Sequence, residues 1–203
     1  HLIIAWACLC TKSLCFVFYW HSNSHEKYFQ MVKPLIVFVH GGQHTNACWQ
    51  PTIDAIKARM PEIETLAVNL PGHGDEPGDL ATLTIAQCVD SVEAKIQAQD
   101  AKQVMLVGHS MAGITITGVA AKLGAERIHR MVYLACCIPP QGKRVIDTLH
   151  MPMNVVAGFA AKFTKVSKPL PKWFASWLFV NGGTAAHKQF THSCLCDESP
   201  KVT

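Results

Sequence analysis

From residue 34 onward the chain alternates unbroken apolar runs with segments whose apolar residues recur at helical spacing. The run 34–42 (PLIVFVHGG) predicts a buried strand ended by glycines. In 49–60 (WQPTIDAIKARM), Ile53, Ile56 and Met60 fall on one helical stripe. A second strand is predicted over 63–70 (IETLAVNL), then a Pro- and Gly-rich loop over 71–79. Residues 84–99 predict an amphipathic helix with Ile85, Cys88, Val89, Val92 and Ile96 as its apolar face. A buried strand at 103–108, a helix of small residues at 112–127 and a strand at 128–137 follow, the last stopped by Pro139 and Pro140. Strands alternating with helices predict an α/β fold built on a parallel sheet.

The rhythm changes after Gln141. Residues 141–203 are rich in Met, Phe and Trp but offer no clear strand, and they read as short helices and loops, a lid-like insertion. Residues 31–140 are the expected core. Residues 1–30 differ again: an apolar, aromatic stretch precedes a polar one. A membrane anchor needs about 20 apolar residues, but Lys12 would lie near the centre, where a charge costs a few kcal/mol. A secretory signal would want a basic start and a small-residue cleavage site, and this stretch ends in Phe18-Tyr19-Trp20. The best fit is a leader of upstream translated sequence, with Met31 as the start.

Composition narrows the class. Hydrophobic residues make up 49% and charged residues 16% of 203, which suits one globular domain with a substantial core. The net charge of +4 is modest and no Lys/Arg cluster stands out, so no nucleic-acid partner is expected. The nine cysteines show no repeated spacing, and reduced thiols in a cytoplasmic protein are expected. If the leader is genuine, the location becomes membrane-anchored or secreted. Cys194 and Cys196 lack the spacing of a usual zinc half-site, so no metal is expected.

The chemistry concentrates at 106–115 (LVGHSMAGIT). Gly-x-Ser-x-Gly between a strand and a helix is a nucleophile elbow: the serine occupies a strained turn, and its flanking residues must be small. Gly108 meets that need, and Ala112 replaces the second glycine with one extra methyl. Ser110 is the candidate nucleophile. The strand ending in His40-Gly41-Gly42 is the expected second oxyanion loop. The backbone N–H groups of Gly42 and Met111 are the candidate oxyanion donors. His40 and His44 are expected to tie that loop down rather than take part in chemistry.

Three motifs in order, VHGGQHTNACW (39–49), NLPGHG (69–74) and LVGHSMAG (106–113), then MVYLACCIPPQGK (131–143), resemble the α/β-hydrolase superfamily. They are most similar to its branch of plant methylesterases, hydroxynitrile lyases and small bacterial esterases. The resemblance covers about 33–200. It implies a three-layer sandwich with a helical lid, a serine hydrolase of small apolar carboxylic esters, and no organic cofactor or metal. Met151, Met153, Phe174, Trp177 and Phe179 are candidate pocket residues, or ordinary core. Lyases of the branch carry Thr after the loop's first His, where this chain has Gly41.

A serine hydroxyl needs a base, and in this fold the order is Ser, acid, His. Asp147 with His187 or His192 obeys the order, but no apolar strand precedes either histidine. The resemblance leads one to expect further strands carrying the acid and the His. The fold is therefore expected to be incomplete on its C-terminal side, and this chain to be inactive or nearly so. The alternatives are a non-catalytic homologue that binds a small apolar ligand, or a C–C lyase.

Overall fold

A computed structural model describes residues 33–149, 151 and 153–202. The expectations for the leader and Met31 lie outside these residues. Four strands form one parallel sheet: β1 (Leu35–Val39), β2 (Thr65–Val68), β3 (Val104–His109) and β4 (Ile128–Leu134), in the order β2-β1-β3-β4. Helices α1 (Gln50–Arg59), α2 (Ile85–Gln97) and α3 (Ala112–Leu123) connect them.

Side chains alternate across β1 and so feed two cores. Leu35, Val37 and Val39 join Val89, Val92 and Ile96 of α2 and Ile116 and Val119 of α3. Ile36 and Phe38 face the other way, onto Ile53 of α1 and onto Trp49 just before it. The layers are therefore helix, sheet, helix, as the α/β reading expects. The apolar face read from 84–99 is the buried face of α2, and Thr84 caps that helix through a reciprocal bond pair with Gln87. Gly118 of α3 lets the two helices approach, since a Cβ there would stand 2.6 Å from a methyl of Val89.

Three expected boundaries shift. The helix read as 112–127 stops at Leu123, because Gly124 adopts φ 82 and ends it. The strand read as 128–137 stops at Leu134, because Ala135 turns at φ 46. Met60, placed on the stripe of α1, is 41% exposed, because the helix has already ended at Arg59.

Beyond residue 141 come the short helices α4 (Met153–Phe163), α5 (Lys172–Phe179) and α6 (Ala185–Ser193). The final segment then returns to the core. Leu195 pairs with His44 and Glu198 with Ser167 as isolated antiparallel bridges. Val202 is buried in the larger core. No helix among the described residues is long and apolar enough to cross a membrane.

Candidate active site

The strand order reverses between β1 and β3: β2 lies on one side of them and β4 on the other. In an open parallel sheet, the carboxyl ends of the strands at such a point form the natural crevice for a ligand. Here those ends are His40-Gly41-Gly42 and His109-Ser110.

Ser110 sits between β3 and α3 at φ 54, a left-handed conformation that non-glycine residues seldom adopt. Hydrogen bonds over-determine it. Its N–H donates to Leu134 O at 3.1 Å, and its carbonyl accepts from Cys137 N–H at 2.9 Å and Gly113 N–H at 3.3 Å. Cys136 Sγ donates to Gly108 O at 3.2 Å. The elbow is thus pinned to the end of β4. A Cβ on Gly108 would come within 2.9 Å of Ile116 Cδ1, and one on Gly113 within 2.9 Å of Cys136 Cβ. Ala112 is fully buried. The tight positions are therefore 108 and 113.

Across the crevice, Gly41 lies against the elbow. His40 and His44 tie down the loop, as expected. Leu70 N–H donates to His40 Nε2 at 3.1 Å, so Nδ1 carries the proton and donates to Gly41 O at 2.9 Å. His44 Nδ1 lies 2.8 Å from Gly42 O. Burial pulls His40 down to about 3, only partly offset by the Gly41 carbonyl. Burial likewise pulls His109 down to about 4, with the neighbouring His44 adding to it. Both are neutral at neutral pH. The N–H groups of Gly42 and Met111 make no hydrogen bond to a described residue, and the Met111 sulfur lies 3.9 Å from where a Gly42 Cβ would be.

The NLPGHG segment braces this loop. Asn69 Oδ1 accepts from Asn46 N–H at 2.7 Å, while its Nδ2 donates to Asp75 at 2.7 Å. His73 is fully buried, and both its ring nitrogens face acceptors: Pro71 O at 3.1 Å and Glu198 Oε1 at 3.2 Å. Only the imidazolium donates from both. Burial pulls His73 down, but Glu198 together with the Pro71 and Leu70 backbone more than offsets it, and the net position is raised.

The acid and histidines placed in chain order after Ser110 each have other partners. Asp147 accepts from the Arg144 guanidinium at 2.8 Å, which holds it at about 2. His187 sits in the first turn of α6 and caps it with Thr184. His192 Nε2 meets Ser176 Oγ at 2.8 Å. None is bonded to Ser110, whose Oγ makes no hydrogen bond to a described residue. His150 lies outside the described residues. Of the candidate pocket residues, Phe179 packs edge-on against His44 with ring centroids 4.9 Å apart. Phe174 stacks on Trp177. Met151 and Trp177 are 72% and 56% exposed, and the Met153 side chain lies outside the description. Among the described residues, no group of three or more His, Cys, Asp or Glu is placed to hold a metal ion.

Two residues that the sequence did not single out stand beside the loop. Gln43 has φ 58 and donates its N–H to Glu198 Oε2 at 2.8 Å. Glu198 is 3% exposed. The sequence offered only its place among the acids after Ser110.

Residues 36–194 match the Alpha/beta hydrolase family. The probable esterase PIR7A of Oryza sativa subsp. indica is 32% identical over 118 residues, 56% of this chain and 43% of that protein. A carbendazim hydrolyzing esterase of Nocardioides sp. (strain SG-4G) is 32% identical over 134 residues, 63% of this chain and 52% of that one. The chain therefore spans about half the length of these curated relatives. Among solved structures, an extracellular alpha/beta-hydrolase from a Paenibacillus species superposes with a TM-score of 0.69 at 23% identity, covering 82% of this chain and 68% of that one. A methylesterase from Arabidopsis gives 0.62 at 17% identity, covering 83% and 67%. These two likenesses speak to the fold.

Proposed function

The chain belongs to the alpha/beta hydrolase family, and from that membership we propose that Ser110 is the nucleophile of a carboxylic ester hydrolase. The observation that carries this reading is the left-handed Ser110 between β3 and α3. Strain of this kind persists only where the surroundings impose it, and it lifts the side chain out of the strand–helix junction.

On this reading Ser110 Oγ attacks the ester carbonyl. The negative charge that develops on the carbonyl oxygen is met by the Gly42 N–H after β1 and the Met111 N–H at the start of α3. Each such donor supplies about 3–4 kcal/mol of transition-state stabilisation. The hydroxyl proton must pass to a base. Among the described residues no side chain is hydrogen-bonded to Ser110 Oγ, and without a base only the residual catalysis of the oxyanion donors and binding remains.

The substrate class is small carboxylic esters of apolar character. Relatives named as esterases support ester substrates. Lyase chemistry is disfavoured at Gly41, where any β-carbon would meet the Ser110 Cβ at 2.9 Å. The test is hydrolysis of p-nitrophenyl acetate by the gene product as its source makes it. Turnover that disappears in Ser110→Ala supports the proposal. A folded gene product that hydrolyses no short-chain ester overturns it.

A further inference from the structure

We propose that Glu198 is a positioning residue for the oxyanion loop, acting through the backbone of Gln43 on the Gly42 N–H; this rests on the reading of Ser110 and Gly42 given above. Two consecutive peptides set where that N–H points. In the Gly41–Gly42 peptide, the carbonyl is held by His40 Nδ1 at 2.9 Å. A trans peptide points its N–H opposite to its C=O, so the Gly42 N–H is turned away from His40. In the Gly42–Gln43 peptide, the carbonyl is held by His44 Nδ1 at 2.8 Å and the N–H by Glu198 Oε2 at 2.8 Å. Release of either end frees the ψ of Gly42, a residue without a side chain to restrain it.

The surroundings of Gln43 show how completely that hold is built. Its carbonyl accepts from Cys196 N–H at 3.0 Å, its Nε2 donates to Lys168 O at 3.0 Å, and its Oε1 accepts from Leu170 N–H at 3.1 Å. All four polar groups of a residue at φ 58 are therefore bound to the segment 168–198. Such over-determination is what keeps a strained backbone in place. Glu198 is fixed in turn. Its Oε1 accepts from Ser199 N–H at 2.7 Å and meets His73 Nε2 at 3.2 Å, and its backbone bonds Ser167 in both directions. A carboxylate that is 3% exposed is costly to bury unless its oxygens are satisfied. Here both are, and Oε2 stands 3.3 Å from the point a Gly42 Cβ would occupy.

The test compares Glu198→Ala with Glu198→Gln in the gene product as its source makes it. The Gln variant keeps a carbonyl acceptor for the Gln43 N–H with its NH2 turned to His73 Nε2, losing only the Ser199 N–H bond, and the Ala variant removes both acceptors. Positioning predicts that E198A lowers kcat for p-nitrophenyl acetate by roughly ten- to a hundredfold with KM within about twofold, and that E198Q recovers most of kcat. In amide exchange followed by NMR, Gln43 N–H is protected in wild type and E198Q and exchanges fast in E198A, with a changed Gly42 amide shift. Equal kcat in all three proteins overturns the proposal, as does E198Q falling with E198A. If wild type hydrolyses no ester, the functional reading fails separately. The amide data then decide: an unchanged Gly42 shift in E198A overturns the positioning role.

Discussion

Gly41 packs directly on the Cβ of Ser110: a methyl at position 41 would stand 2.9 Å from it, 3.0 Å from His109 Nδ1 and 3.1 Å from His109 O. The carboxyl ends of β1 and β3 meet there with no space to spare. Gly41→Ala must push the two loops apart. Overpacking of this kind costs about 1–3 kcal/mol, readable as a lower urea midpoint, and ester turnover should fall by roughly a hundredfold as Ser110 and the Gly42 N–H separate. An alanine accommodated with no change in midpoint or rate would show that the loops do not touch.

Ser110→Gly separates strain from chemistry. Glycine adopts φ 54 without penalty, so the variant should gain about 1 kcal/mol, a rise in Tm of roughly 2–4 °C for a domain this size, while losing turnover. A fall in Tm would mean that the serine side chain, rather than the Leu134 and Cys137 backbone bonds, holds the elbow.

Two glycine-to-alanine changes in helices should move in opposite directions. At Gly113 of α3, a Cβ would lie 2.9 Å from both Cys136 Cβ and Cys137 O, so Gly113→Ala should destabilise by about 1–3 kcal/mol. At Gly158 of α4, the nearest atom is 3.8 Å away, so Gly158→Ala should gain up to about 1 kcal/mol from helix propensity. Paired thermal melts check both.

The buried histidines set an acid limit. His40 is held at about 3 in the fold against 6.5 when unfolded. A depressed folded value means that its contribution is complete above pH 6.5 and is lost as pH falls toward 3, at up to about 1.4 kcal/mol per unit. His73 behaves oppositely: its folded value is raised, so its contribution is present below pH 6.5 and is lost as pH rises through the folded value. Glu198→Gln should therefore cost more stability at pH 6 than at pH 9, and His40→Gln should flatten the acid limb. Urea midpoints across pH test both. A wild-type midpoint constant from pH 7 to 4 would contradict the burial of His40.

How much of this was legible in the sequence follows from how locally each feature is encoded. The buried face of α2 was readable, because Cys88, Val89, Val92 and Ile96 recur at helical spacing. The elbow was readable because strand, Gly108, Ser110 and helix are contiguous. The hold on Gln43 was not, because it joins residues 125–155 positions apart through single hydrogen bonds that leave no periodicity. The left-handed turn at Gln43 was equally silent, since long-range bonds rather than residue type impose it. Chain order offered Asp147, His187 and His192 as partners for Ser110. The structure gives each a different neighbour, because order along the chain says nothing about distance across the fold.

The central claim is that Ser110 is built as a nucleophile, and covalent labelling of the gene product with a fluorophosphonate, mapped by mass spectrometry, tests it most directly. The account predicts a single stable adduct on Ser110 that is absent from Ser110→Ala. An unmodified Ser110 in folded protein, or an adduct carried by a different serine, would contradict it.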